Sequence, residues 1–404
     1  MAKASAGEGT RHPKDFRTQF GASDVIALAP PDAPTGKRLN LLLPGISARR
    51  AYGGVATALR LVEALASGFD HTRLVITAET ASECEPHRWS SWASDSNGLA
   101  RRSIVFLGDR VTPLALAATD YFVATAWPTA LYCGYLISVQ EQLFQEAKRR
   151  FVYFVQDYEP GFYSHSISYA YAESTYWDYP DAIAVFNSSQ LAKFFAEEQY
   201  TFSREYIYEP MMNPVLRERR VAKRTPFKER MIFIYARPSI PRNGFQAIVE
   251  ALKIWARTLP SAQEWSVVSD GDPHEDIDLG NGVSLVSRGR LTLDEYADCL
   301  SRCWVGVSLV FSPHPGYTVL EMAELGSWVI TNKWKGKDPS RLAPNILAVN
   351  LPSPEAIAAQ LLWSCERFEP GLESVVPDLP SVLRSEGAEF PFLSELLAVW
   401  CGAR

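Results

Sequence analysis

The chain has 404 residues, 47% of them hydrophobic, and a formal net charge of −6 at pH 7. That length exceeds what one core ordinarily supports, so two domains are expected, each with enough apolar material for its own core. The acidic balance argues against a nucleic-acid partner, which demands a basic face, and six cysteines without CxxC spacing suit a reducing cytoplasm rather than a disulfide framework.

Residues 1–36 are polar and Pro-rich, with no apolar core of the kind a secretory signal needs, and read as a peripheral segment. From 37 to 215 short apolar runs alternate with helix-like stretches. Strands are expected at Leu39–Leu43, Arg73–Thr77, Ile104–Leu107, Tyr121–Ala126, Phe151–Gln156 and Ala182–Phe186, with helices such as Val55–Ala66 and Gln190–Glu198 between them. The apolar stretch Leu114–Val139 is broken by Asp120 and Pro128. It therefore reads as a buried strand followed by a helix with Pro128 near its start, not as a membrane span. Leu216–Arg230 is charged and contains Pro226, which marks it as the linker; its basic run leaves a peripheral membrane contact open, against the plainer reading of a solvated hinge. From 231 to 385 the alternation resumes, with strands expected at Met231–Ala236, Trp265–Ser269, Val283–Val286, Val305–Leu309 and Trp328–Thr331. Cys299 and Cys303, four residues apart, read as small core residues of one helix. Residues 386–404 are expected to form a C-terminal helix that has the option of packing back on the first domain. The pattern is α/β: two Rossmann-like domains with parallel sheets.

Open parallel sheets bind ligands beyond the carboxyl ends of their strands, so the residues just after each strand are the candidates. After the first strand, Pro44–Gly54 carries Gly53 and Gly54 into a helix, a platform for a phosphate or a sugar. Thr125, Ala126 and Trp127 follow another strand. After a third come Gln156, Asp157, Tyr158 and Glu159, then Phe162, Tyr163 and Ser168–Tyr176: carboxylates, an amide and aromatics of the types that hold sugar hydroxyls and stack on sugar faces. In the second domain Arg237 and Arg242 follow an apolar strand in a Pro-rich turn. In Ser312–Gly326, Pro313, Pro315 and Gly316 form a turn whose amides are expected to face an anion, and Tyr317, Thr318 and Glu321 lie on the helix that follows. Glu321, one turn in, suits the two hydroxyls of a ribose. Taken singly these features are ordinary turns and solvated charges. Their order along the chain is what points to a site.

That order resembles the GT-B glycosyltransferases, and within them glycosyltransferase family 4: an Arg (Arg237), a basic residue before a Gly (Arg242, before Asn243 and Gly244), then a Gly and Glu helix motif (Gly316, Glu321). Ser269–Asp272 and Val286–Leu291, with Gly289, resemble the family's loop after a strand and its base-binding turn. Two departures stand out: Arg242 replaces the usual Lys, and Pro313-His314 stands where an acidic residue normally precedes the Gly. The run FVYFVQDYEPGFY with SYAYAESTY resembles the WsaF-type rhamnosyltransferases.

The resemblance implies two Rossmann-like domains facing a central cleft, and retaining transfer of L-rhamnose from dTDP-L-rhamnose to a growing bacterial polysaccharide without a metal or other cofactor. The acceptor would be a glycan, with a lipid-linked form left open, and the location cytoplasmic, with the inner face of the membrane as an option. Donor contacts would fall on Gly53, Gly54, Arg237, Arg242, Gly289, Gly316, Tyr317, Thr318 and Glu321, and acceptor contacts on Trp127, Gln156, Tyr158 and Glu159. Arg237 and Arg242 would stabilise the departing diphosphate, and Asp157, with Glu159 as runner-up, would orient the acceptor hydroxyl. Two other readings stay open: a GT-B nucleotide-sugar epimerase, and a non-catalytic sugar-nucleotide-binding partner. A dinucleotide oxidoreductase is disfavoured, because no GxGxxG follows the first strand.

Overall fold

The structure, a computed structural model, describes residues 26–47, 53–84, 101–221, 227–376, 381–383 and 387–402. Of the stretches singled out above, 1–25 of the N-terminal segment, 48–52 of the Pro44–Gly54 loop, 222–226 of the expected linker, 377–380 and 384–385 of the second domain, and 386, 403 and 404 of the C-terminal segment lie outside them.

The apolar runs of the first half pair into one seven-stranded sheet. In chain order its strands are β1 (Arg38–Leu43), β2 (His71–Ile76), β3 (Arg101–Phe106), β4 (Asp120–Ala124), β5 (Val152–Val155), β6 (Ile183–Phe186) and β7 (Arg204–Ile207), and their spatial order is β3-β2-β1-β4-β5-β6-β7. Pairing is parallel from β3 through β6. The continuous burial of β1, β4, β5 and β6 follows, because helices cover both faces of a parallel sheet.

The second half builds a sheet from β8 (Glu229–Ala236), β9 (Ser266–Gly271), β10 (Ile277–Gly280), β11 (Val283–Ser287), β12 (Cys303–Val307), β13 (Trp328–Asn332) and β14 (Ile346–Val349), in the order β10-β11-β9-β8-β12-β13-β14. It too is parallel, except that β10 pairs antiparallel with β11 at the edge. Counted from the first strand of each half, and leaving out the antiparallel edge strand β10, both sheets contain the doubly wound order 3-2-1-4-5-6. The winding order reverses between β1 and β4 in one and between β8 and β12 in the other, and such switch points are where open α/β sheets take ligands.

The chain divides into two compact units. Unit 1 holds the described residues up to Phe186, with Tyr200–Tyr206 and the residues from Phe390 on; unit 2 holds Asn187–Gln199 and Ile207–Glu389. The stretch expected as a linker is therefore built into unit 2: a helix covers Pro214–Val221, Leu216 sits in the core beside Met231, and Lys228 is buried just before β8. The pairing of Cys299 and Cys303 on one helix also needs correction. Cys303 opens β12, because the helix Leu293–Arg302 ends there.

Within unit 1, a helix at Leu393–Cys401 delivers Trp400, whose ring meets Phe69 and Tyr121 edge-on and whose indole N–H donates to the Arg150 carbonyl. The start of the described chain is likewise attached: residues 27 and 29 exchange backbone hydrogen bonds with Leu114. Among the described residues, no helix is long and apolar enough to cross a membrane.

Candidate functional site

In unit 2 the candidate residues gather at the switch point between β8 and β12. β8 ends at Ala236, and Gly271, at the end of neighbouring β9, has a φ of +132°; a side chain there would collide with the Ala236 carbonyl. This close approach lets the Asp272 N–H donate to the Ala236 carbonyl at 2.9 Å and brings Asp272 beside Arg237. Arg237 Nε lies 3.0 Å from Asp272 Oδ1, and Arg237 also donates to the Tyr235 hydroxyl at 3.2 Å. Although burial works against its charge, Asp272 is held below the ordinary carboxylate range by the Ser239 hydroxyl and by Arg237. An anion that recruits Arg237 must therefore compete with Asp272.

Arg242 lies in a short turn, Pro241–Asn243, closed by Gly244 in the left-handed region. Its carbonyl accepts the Phe311 N–H at 3.2 Å, and the Asn243 amide donates to the Leu309 carbonyl. The two motifs, some seventy residues apart in sequence, are thus joined through neighbouring strands.

The loop after β12 departs from expectation. The His314 N–H donates to the Ser312 hydroxyl and the Gly316 N–H to His314 Nδ1, each at 3.0 Å. Pro313 and Pro315 have no N–H at all. The amides of this turn are used within it and do not face an anion; that orientation is left to the first turn of the helix Tyr317–Glu324, for which Gly316 (φ 90°) is the cap. Pro313-His314 is buried, and Lys337 braces the loop from beneath by donating to the Val310 and His314 carbonyls.

On that helix Val319, Leu320, Met322 and Ala323 are buried, whereas Gly316, Tyr317, Thr318 and Glu321 are only half-buried and share the open side. Glu321 Oε2 accepts the Tyr296 hydroxyl at 2.7 Å. Burial pushes the Glu321 carboxyl above its ordinary value; the Tyr296 bond opposes this and the nearby Asp270 reinforces it. Asp270 accepts the Leu291 N–H at 2.8 Å, and burial raises its carboxyl as well. The turn that carries Gly289 (φ +61°) lies against the end of β9, where the Gly289 carbonyl accepts the Gly271 N–H. Tyr296 was missed from sequence, since it belongs to no motif named there, and Asp270, within the Ser269–Asp272 loop, was given no role of its own.

The remaining candidates, Gly53, Gly54, Trp127, Gln156, Asp157, Tyr158 and Glu159, belong to unit 1. Gly53 opens the helix Gly53–Leu65, and the Gln156 amide oxygen sits where a side chain on Gly54 would be. The start of this loop is clasped by Glu79, whose carboxylate accepts the Ile46 and Ser47 N–H groups and the Ser47 hydroxyl. Glu159 is buried and accepts the Trp127 N–H at 2.6 Å, so its carboxylate caps the positive end of the helix Trp127–Phe144. Trp127 is itself buried and donates to the Tyr163 hydroxyl. The Tyr158 hydroxyl meets those of Tyr169 and Tyr200 around Glu173, with all three phenols within 3.4 Å of its Oε1. Gln156 and Asp157 are half-buried at the end of β5, where Asp157 accepts the Tyr158 N–H. Among the described residues, no group of three or more His, Cys, Asp or Glu is placed to hold a metal ion.

The two doubly wound sheets define the class: the fold is that of the GT-B glycosyltransferases. It is shared by the trehalose-phosphate synthase OtsA in its apo form (TM-score 0.53, 11% identity, covering 82% of this chain and 92% of that one) and by sucrose-phosphate synthase from Thermosynechococcus elongatus (TM-score 0.50, 13% identity, covering 82% and 90%). Residues 38–189 match the WsaF N-terminal domain and residues 230–362 the WsaF C-terminal domain, and the chain belongs to the WsaF family. The O-antigen biosynthesis protein RfbC of Myxococcus xanthus is 30% identical over 219 residues, which are 54% of this chain and only 16% of that protein.

Proposed function

We propose that the protein is a retaining, metal-independent glycosyltransferase that moves L-rhamnose from dTDP-L-rhamnose to a growing bacterial surface polysaccharide. The observation that carries this reading is the convergence of the Arg237–Arg242 turn, the cap at Gly316 and the carboxylate of Glu321 on one switch point of unit 2. Family membership and the similarity to an O-antigen biosynthesis protein favour a polysaccharide product.

Negative charge grows on the nucleotide's diphosphate as the sugar leaves. Two guanidiniums and a helix N-terminus answer that charge, the task a divalent cation performs elsewhere. Arg237 exchanges Asp272 for the diphosphate when the donor binds. In unit 1, Gln156 and Asp157 orient the acceptor hydroxyl, and the departing phosphate takes its proton, which gives front-face attack and retention. Glu159, committed to the Trp127 helix, acts by holding that helix in place.

The test is donor turnover. With dTDP-L-rhamnose and glycan fragments of bacterial surface polysaccharide, dTDP release should depend on the glycan, persist in EDTA and yield the donor's anomeric configuration by NMR. Conversion of the free sugar nucleotide without dTDP release would establish an epimerase instead, and activity lost to EDTA and restored by a divalent cation would remove the metal-free mechanism.

A further inference from the structure

The loop that leads from β12 to the helix Tyr317–Glu324 is anchored to the neighbouring strand. Asn332, fully buried at the end of β13, accepts the Val310 N–H at 2.6 Å and donates back to the Val310 carbonyl, and Lys337 donates to the carbonyls of Val310 and His314. Beyond Ser312, Pro313 and Pro315 have no N–H with which to orient the chain. The Gly316 N–H, which donates to His314 Nδ1 at 3.0 Å, is therefore the bond that fixes the peptide entering the helix. Gly316 itself has little room to turn, since a β-carbon there would lie 2.9 Å from Val310 Cγ2.

A backbone N–H can only donate, so Nδ1 carries no proton; an imidazolium would carry protons on both nitrogens, and the ring that accepts here is neutral, with its proton on Nε2. The imidazole is buried and packs tilted against the ring of Tyr317, the first residue of the helix, with centroids 5.3 Å apart. The acceptor that holds the helix cap is thus uncharged. We infer that His314 is a positioning residue of the donor site: it aims the N-terminus of the Tyr317–Glu324 helix through Gly316, and, being neutral, it leaves the positive end of that helix for the diphosphate. The inference rests on the donor-site reading above and adds to it a residue that acts through the cap. A carboxylate in the same place would accept the same N–H, but its charge would be drawn to the helix terminus and would repel a diphosphate there. An apolar side chain would leave the Gly316 N–H without its acceptor in a partly buried turn and release the start of the helix.

Three substitutions separate the hydrogen bond from the charge. His314→Asn keeps a neutral acceptor, His314→Asp keeps an acceptor of the same shape and adds a charge, and His314→Leu removes the acceptor. Calorimetric titration of the full chain with dTDP at neutral pH should place His314→Asn within about threefold of wild type, and His314→Asp about tenfold weaker than His314→Asn, which corresponds to about 1.4 kcal/mol. His314→Leu should bind dTDP about tenfold more weakly than wild type. A side chain that merely fills space would make the two isosteric variants bind alike, so equal dTDP affinities of His314→Asn and His314→Asp would overturn the inference, and this comparison does not need His314→Leu to fold. Binding by folded His314→Leu as tight as wild type, or tighter, would overturn it as well. If wild type binds no dTDP, the donor-site reading itself falls, an outcome distinct from dTDP binding that is indifferent to position 314.

Discussion

Glu321 shows how one side chain is set by its neighbours. Its helix places it on the open side, Tyr296 fixes its orientation, and Asp270 keeps the local field negative. Glu321→Gln should weaken dTDP binding by about 1–3 kcal/mol, because a neutral amide oxygen is a poorer acceptor for a hydroxyl than a carboxylate. Calorimetry checks this, and a lowered melting temperature with unchanged dTDP affinity would assign Glu321 a purely structural part. Asp157 makes the opposite case. In Asp157→Asn dTDP affinity should hold, because the proposed diphosphate and ribose contacts, Arg237, Arg242 and Glu321, belong to unit 2, while transfer slows by about 10²-fold or more, the scale at which proton handling contributes. Normal transfer by this variant would remove Asp157 from the mechanism.

At the scale of elements, the arrangement around Glu321 depends on a buried lysine. Lys228 donates to the carbonyls of Leu300 and Leu325 and to the Ser327 hydroxyl, which ties the last turn of the Tyr296 helix to the end of the Glu321 helix. Burial pulls its ammonium down to about 8 from an ordinary value of 10.5. Between those two pH values the unfolded chain binds more protons at this site than the folded one, so this group makes stability rise with pH across the window, by up to about 3 kcal/mol. Denaturant unfolding at pH 8 and pH 10 should show a larger gain, or a smaller loss, in wild type than in Lys228→Met. Parallel profiles would refute the assignment.

The elements also show what was legible in the sequence. The buried strands β1, β4, β5, β6, β8 and β12 stood out as continuous apolar runs. The edge strands β7 and β10 did not, because a strand half-exposed to solvent, such as Arg-Glu-Tyr-Ile, carries no such run; β14, Ile-Leu-Ala-Val, is an apolar run that the sequence reading passed over. Arg237, Arg242 and Glu321 were legible through order and spacing. The Tyr296–Glu321 and Arg237–Asp272 contacts were not, since each pairs residues 25–35 positions apart on separate elements. The turn at Ser312–Gly316 misled for a related reason: proximity of Pro and Gly marks a turn, but whether its amides point outward depends on Ser312 and His314 folding back.

For the molecule as a whole, the same winding order appears twice, and the chain's last helix returns to the first sheet's unit. Trp400 anchors that return, so Trp400→Ala should cost about 3–5 kcal/mol of unit 1 stability by chemical denaturation while leaving dTDP affinity unchanged. Loss of dTDP binding in a folded Trp400→Ala protein would show that the nucleotide site is not confined to unit 2. In the proposed function, unit 2 grips a deoxynucleoside diphosphate through Arg237, Arg242 and Glu321 without a metal. The most direct test of that grip is a calorimetric titration of the protein with dTDP-L-rhamnose in EDTA, beside the Arg237→Ala variant. Saturable one-to-one binding that weakens at least tenfold in the variant is the predicted result, and equal affinities, or no binding until a divalent cation is supplied, would contradict it.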